Sequence, residues 1–198
     1  VAAALGSCDV VKVLIDAGAD VNVQNSIGKS VLMMAVRGKK LSCVRAVLNA
    51  GGNVKERDNN GNYVIVNAVK AGTVEIVQAL HEAGADLNRI DTISTVHGEK
   101  STGVTLLHLA ASHNKKEIVE YLLRKGLNPN AQTNRDHGSA TPLHYAVEFA
   151  SPEVVKTLLD AGADPNIEDA SGKDSFGYAA ERDDEMSSEI IEILSEAG

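Results

Sequence analysis

The feature that most constrains this chain is a short segment that keeps returning. Ala17-Gly18-Ala19-Asp20-Val21-Asn22 recurs as Ala50-Gly51-Gly52-Asn53-Val54-Lys55 and as Ala83-Gly84-Ala85-Asp86-Leu87-Asn88. It continues as Lys125-Gly126-Leu127-Asn128-Pro129-Asn130 and Ala161-Gly162-Ala163-Asp164-Pro165-Asn166, and the chain stops at Ala197-Gly198. Successive glycines are 33, 33, 42, 36 and 36 residues apart, so a base period of 33 is lengthened by nine, three and three residues. A second landmark keeps the same beat: Ala2, Ala35, Ala68, Ala110 and Ala146 each precede a glycine by 16 residues, and Ala179 precedes Gly198 by 19. A period in this range means an array of small units that bury their apolar faces against neighbouring copies.

One unit shows why. Thr141 is a good N-cap and Pro142 suits the first helical position, where a missing N–H costs nothing, so a short helix starts there. After a break at Ala150-Ser151-Pro152, Val154, Val155, Leu158 and Leu159 fall on one stripe of a second helix. Gly162 stands where a left-handed C-terminal cap is needed, and Asp164-Pro165-Asn166 supplies turn chemistry before the next unit. Two helices of about two turns each cannot bury their apolar sides alone, so the units must stack.

Composition sets the outer limits. The 198 residues are 43% hydrophobic and only 3% aromatic, so the core must be aliphatic. No apolar run approaches the roughly 18–20 residues of a membrane span, and no secretory leader is visible at the N-terminus. The chain begins at Val1 rather than Met, which suggests a fragment of a longer protein. The net charge of −8 is unevenly spread: residues 1–72 carry nine basic and five acidic side chains, and residues 73–198 carry ten and twenty-two. That acidity argues against non-specific nucleic-acid binding except through the N-terminal part. Cys8 and Cys43 are too few for a disulfide scaffold, which favours a reducing compartment. Cys43 reads as core packing, and Cys8, at a helix start, as a more exposed and reactive thiol.

Thr141-Pro142-Leu143-His144-Tyr145-Ala146, the Glu-Ile-Val or Glu-Val-Val opening of the second helix, and Gly-Ala-Asp-x-Asn at its end resemble the ankyrin repeat. The resemblance covers essentially the whole chain. Asp9-Val10-Val11, Glu75-Ile76-Val77, Glu117-Ile118-Val119, Glu153-Val154-Val155 and Glu189-Ile190-Ile191 all open second helices, while the second repeat substitutes Ser42-Cys43-Val44. Thr105-Leu106-Leu107-His108-Leu109-Ala110 fits the first-helix motif well. Segments 30–35 and 63–68 lack both its Pro and its His, and 174–179 keeps mainly the cap and the alanine. The resemblance implies an all-α solenoid of helix-turn-helix units, each followed by a β-hairpin-like finger, with finger tips and first helices forming a concave face. It implies a single domain over 1–198: a partial repeat 1–24, then 25–57, 58–90, 91–132 with the nine-residue insertion, 133–168 with three more, and 169–198. The apolar start of the first repeat leads us to expect further repeats or a polar cap upstream.

Signals for catalysis or metal are weak. Gly28-Lys29-Ser30 is like the end of a phosphate-binding loop, but Val23 stands where that loop needs its first glycine, and the register makes Gly28, like Gly61, Gly103 and Gly172, a finger-tip turn residue. His81-Glu82 starts like a zinc-protease helix, yet Ala85 stands where the second His belongs. His108 and His144 occupy the family motif, where the resemblance implies a structural hydrogen bond between neighbouring loops. His97, His113 and His137 have no second ligand at metal spacing. No enzyme activity, cofactor or metal is expected.

The framework recurs in every repeat, so a partner is encoded at the variable positions of fingers and first helices. These are Ile27, Lys29, Asn60, Asn62 and Lys173 on the fingers, Arg37, Lys70, His113, Glu148, Phe149 and Arg182 along the inner edge of the first helices, and His97 and His137 in the inserted loops. The ridge runs from basic to mixed or acidic, and Phe149 is the sharpest candidate for an aromatic anchor. The long stretch 91–102 is rich in Ser and Thr and extends the same side. The expectation is a monomeric, scaffold-like protein-binding module for a protein or peptide, with no membrane insertion, in the cytoplasm or nucleus. The alternative is a regulatory or targeting segment of a larger enzyme, channel or effector. A third reading is a structural spacer without a partner.

Overall fold

A computed structural model describes residues 8–88, 93–94, 100–101, 103–134 and 138–197. The chain divides into two compact units, Val1–Leu87 and Asn88–Gly198. The first unit holds α1 (Cys8–Asp16), α2 (Val31–Arg37), α3 (Leu41–Asn49), α4 (Val64–Ala71) and α5 (Val74–Glu82). The second holds a two-residue ladder of β1 (Ile93–Ser94) and β2 (Lys100–Ser101), then α6 (Leu106–Ser112), α7 (Lys116–Arg124), α8 (Pro142–Phe149), α9 (Pro152–Asp160), α10 (Ser175–Ala180) and α11 (Ser187–Ala197). β1 and β2 run antiparallel with Ile93 opposite Ser101, inside the inserted stretch.

Each unit is a stack of helix pairs. In the first, α2 packs on α3 and α4 on α5, while α2 meets α4 and α1, α3 and α5 form the second row. In the second unit α6, α8 and α10 make one row and α7, α9 and α11 the other. The recurring alanine explains how the first helices approach so closely: Ala35, Ala68, Ala110, Ala146 and Ala179 are all fully buried, where any longer side chain would force the stack apart. The second-helix stripe is buried as its spacing requires, with Val154, Val155 and Leu158 inaccessible and Leu159 half-buried.

The helix ends follow from local chemistry. Thr105, Thr141, Ser30 and Asp174 each accept a hydrogen bond from the backbone N–H three residues on, so two of the repeats that depart from the family motif still cap their first helix. Tyr63 has no side-chain oxygen in reach and leaves α4 uncapped. At the other end, Gly51 (φ +86°) and Gly162 (φ +87°) take the left-handed conformation, and the residues after them close back on Val47 and Leu158.

Gly28 carries a stricter demand. Its φ is +70°, and a Cβ there would sit 2.7 Å from the backbone nitrogen of Asn59 in the next finger. Gly51 is equally left-handed at φ +86° but has nothing within 4 Å of its missing Cβ. Gly28→Ala is therefore expected to destabilise the first unit by about 1–3 kcal/mol, and Gly51→Ala by roughly 1 kcal/mol, in chemical denaturation. Equal losses from the two would show that the finger contact contributes nothing.

The cysteines require a correction. They are not two separate thiols: Cys8 and Cys43 form a disulfide between α1 and α3, with Cα atoms 4.9 Å apart. Cys43 is buried as a core position should be, but its sulfur is bonded, and Cys8 is not a reactive free thiol. The reason is stacking: 35 residues is one period plus two, which sets the start of one second helix beside the next. The argument for a reducing compartment falls with the free thiols.

Candidate functional site

The polar side chains that recur in the stack are mostly occupied in holding it. The Thr105 backbone N–H donates to His108 Nδ1 at 3.1 Å, which fixes the lone pair there and the proton on Nε2. Nε2 then donates to the Ala140 carbonyl at 3.0 Å, in the finger of the following repeat. His144 repeats the pattern, receiving the Thr141 N–H at 2.9 Å and donating to the Lys173 carbonyl at 3.2 Å. Burial lowers the His108 imidazole to about 4 and shifts His144 the same way. Neutral, buried and bonded at both nitrogens, these histidines are struts.

The finger of the second repeat is a local turn. Asn25 Oδ1 accepts from the Ile27 and Lys29 amides, and the Gly28 N–H donates to the Asn25 carbonyl, so these amides face inward and cradle no anion. Asp58 does the same in the third repeat: only 6% exposed, it accepts from the Asn60 and Asn62 amides, each at 3.0 Å. The sequence reading missed Asp58; its position three residues before Gly61 in a finger was the available signal.

The thirteen candidate residues separate clearly. In the first unit, Ile27 is 54% exposed, Arg37 and Asn60 are exposed, and Lys29 and Asn62 are half-buried. Lys70 is half-buried; desolvation lowers its pKa, and the Asp58 carboxylate opposes that shift. In the second unit, Glu148 is exposed and Phe149 is 49% exposed at the end of α8, with the Phe149 ring 6.4 Å from that of Tyr145. Lys173 Nζ pairs with Glu181 at 2.6 Å and lies 5.0 Å from the Tyr178 ring centre. His113 folds back onto the end of α6, its Nδ1 3.0 Å from the Leu109 carbonyl. Arg182 is engaged in the fold: its Nη1 donates to the carbonyls of Val147 and Ala150 at the end of α8, and its Nε to Asp184. His97 and His137 lie outside the described residues.

Among the described residues no three His, Cys, Asp or Glu side chains gather as a metal site, and no helix is long and apolar enough to cross a membrane. His81 and Glu82 close α5 as ordinary helix-end residues.

Stacked helix pairs, fingers pinned by Asx turns and histidine struts between repeats define a repeat protein whose polar framework serves its own assembly. The chain belongs to the ankyrin-repeat family: the family description, ankyrin repeats in three copies, matches residues 1–91 and 93–169. No curated protein sequence matches significantly. Among solved structures, a chain from the complex of a predatory endopeptidase of Bdellovibrio bacteriovorus with an immunity protein superposes with a TM-score of 0.80 at 25% identity, covering 98% of this chain and 95% of that one. An ankyrin repeat domain from Acinetobacter baumannii AYE superposes with a TM-score of 0.77 at 26% identity, covering 100% of this chain and 95% of its own. Ankyrin repeats are general protein-interaction modules, and the fold is typically non-enzymatic.

Proposed function

We propose that this chain is a non-catalytic interaction module that binds a protein or peptide through the finger tips and first-helix edges of its two units. Ile27, Arg37, Asn60 and Lys70 contribute in the first unit and Glu148, Phe149 and Lys173 in the second. The observation that carries this reading is Phe149, a large apolar ring left 49% exposed on a helix whose neighbouring positions Ala146 and Val147 are fully buried. Packing of the stack does not require it there, and a half-exposed aromatic beside a second ring is the kind of side chain on which partners anchor. The structural likeness to a chain from a complex of two proteins supports a protein partner. The net charge of −8 disfavours nucleic acid. The module acts as a monomer.

The test compares wild type with the double variant Arg37→Glu, Phe149→Ala in capture from an extract, after showing that both melt alike. A partner retained by the wild type and lost by the variant is the expected result. Equal retention would overturn the first-helix surface as the binding face.

A further inference from the structure

The turn that joins the two helices of the second repeat departs from its counterparts toward positive charge. Residues 23–72 carry eight basic and two acidic side chains, and three of the eight fall in one turn, Arg37-Gly38-Lys39-Lys40. All three are exposed. The same four positions are Lys70-Ala71-Gly72-Thr73 in the third repeat and Ser112-His113-Asn114-Lys115 in the fourth. Local chemistry does not ask for the lysines of the second. Lys39 is left-handed at φ +54°, where Gly72 (φ +77°) and Asn114 (φ +53°) stand in the following repeats. Glycine takes that conformation freely, and Asn114 has a task there: its Oδ1 accepts from the Ser151 N–H at 3.1 Å and hydroxyl at 3.0 Å. Lys39 carries the cost of a long side chain at positive φ. Lys40 stands at the N-cap of α3, a position held by Thr73 before α5 and Ser151 before α9, and a lysine has no oxygen to offer the turn. The charge is not balanced locally either. α1, α5, α7, α9 and α11 each carry an acid in the first turn, whereas α3 has none and places Ser42 there. Because α2 packs on α4, Lys70, one period after Arg37, brings a fourth cation to the same edge. Among the described residues Arg37, Lys39 and Lys70 close no ion pair. The Asp58 charge acts on Lys70, but its Oδ1 already accepts the Asn60 and Asn62 amides.

We propose that the edge formed by Arg37, Lys39, Lys40 and Lys70 receives an acidic segment of the partner protein, whose Asp and Glu carboxylates supply the negative charge the second repeat lacks. The proposal rests on the protein-binding reading above and names the chemistry of the partner at the first unit. Like charges crowded on one turn repel, and a carboxylate set among them relieves that repulsion while gaining charge-assisted hydrogen bonds. A repeat that keeps cations against its own local preferences is where a binding role belongs. A nucleic-acid backbone needs a longer basic track, and outside residues 23–72 the chain carries eleven basic against twenty-five acidic side chains, so a short acidic peptide segment is the better fit.

The probes are acetyl-Gly-Glu-Glu-Leu-Glu-Glu-Gly-amide, its counterpart with glutamine for every glutamate, and a short oligothymidine, each titrated into the chain at low salt while the backbone amides of 37–40 are followed by NMR. The glutamate peptide is expected to shift these amides, to bind at least about tenfold more tightly than the glutamine peptide, and to lose most of that advantage in high salt. The triple variant Arg37→Gln, Lys39→Gly, Lys40→Thr, which copies glycine and threonine from the third repeat, is expected to denature no earlier than the wild type and to bind the glutamate peptide at least about fivefold more weakly. Lys55→Gln removes an exposed cation of the same stretch outside this turn and is expected to change binding by less than about twofold. Equal binding of the two peptides, or no response at 37–40, overturns the assignment. So does a loss in Lys55→Gln as large as that in the triple variant, or tighter binding of the oligothymidine through the same amides. Should the triple variant fail to fold, Lys39→Gly alone decides, with unchanged binding overturning the proposal. A captured partner that Phe149→Ala loses and the triple variant keeps would overturn the acidic segment while leaving the interaction module standing.

Discussion

Reduction of the Cys8–Cys43 disulfide is expected to strip hydrogen-exchange protection from α1 and weaken α3, while α6 to α9 are unaffected. The bond closes a loop of 35 residues, and constraining a loop of that length stabilises by about 3–4 kcal/mol in the chain-entropy description. The effect concentrates on α1 because, among the described residues, little else holds that helix. Val10 and Leu14 are each 49% exposed, whereas Cys43 and Val47, their counterparts one period later, are fully buried. Without the bond α1 holds to α3 by part of one face, and a nine-residue helix is not stable by itself. The double variant Cys8→Ala, Cys43→Val tests the same point without reductant, since valine fills the register position that Val154 occupies in α9. Unchanged protection of α1 after complete reduction, verified by mass, would refute the assignment.

Lowering the pH from 7 to 4.5 is expected to destabilise the second unit through His108. The imidazole has an ordinary pKa near 6.5 when unfolded and is held at about 4 when folded, because burial disfavours its charged form. The unfolded chain therefore binds more protons between these values, so stability is fully present above about 6.5 and drains away as the pH falls toward 4. The total is on the order of 3 kcal/mol, or roughly a tenfold loss of protection per pH unit in amide exchange of α6 and α8. His144, shifted in the same direction, adds to it. Asp169, held down at about 2, releases its contribution only below pH 4 and stays out of this window. His108→Gln should flatten the pH dependence while lowering stability at pH 7, because it weakens the bonds to Thr105 and Ala140. A slope unchanged by that substitution would place the sensitivity elsewhere.

Most of the fold is legible in the sequence because stacking imposes one rule on every repeat. The alanine at the closest approach and the left-handed glycine after α1, α3, α5, α7 and α9 are local requirements, so they recur and can be counted. What escapes is whatever depends on the offset between repeats. Cys8 and Cys43 look unrelated until the period places their helices side by side. Arg182 reads as an inner-edge residue by its column, but α10 ends at Ala180, and the turn beyond it sends the guanidinium back to the carbonyls of α8. Candidate residues on fingers are harder still: Ile27 and Phe149 stand out by exposure alone, and exposure of a single side chain is not written in its neighbours.

The histidine struts run one way. His108 reaches forward to Ala140 and His144 forward to Lys173, the donor always in the earlier repeat and the acceptor in the later one. The two ends of the array are therefore unequal to truncation. Trimming repeats from the front frees a backbone carbonyl, which water readily satisfies. Trimming from the back removes both the acceptor and the covering ring of the last histidine, so its Nε2 proton is left to water and the strut is lost from the repeat that remains. A shortened version of this protein should tolerate loss of its beginning better than loss of its end.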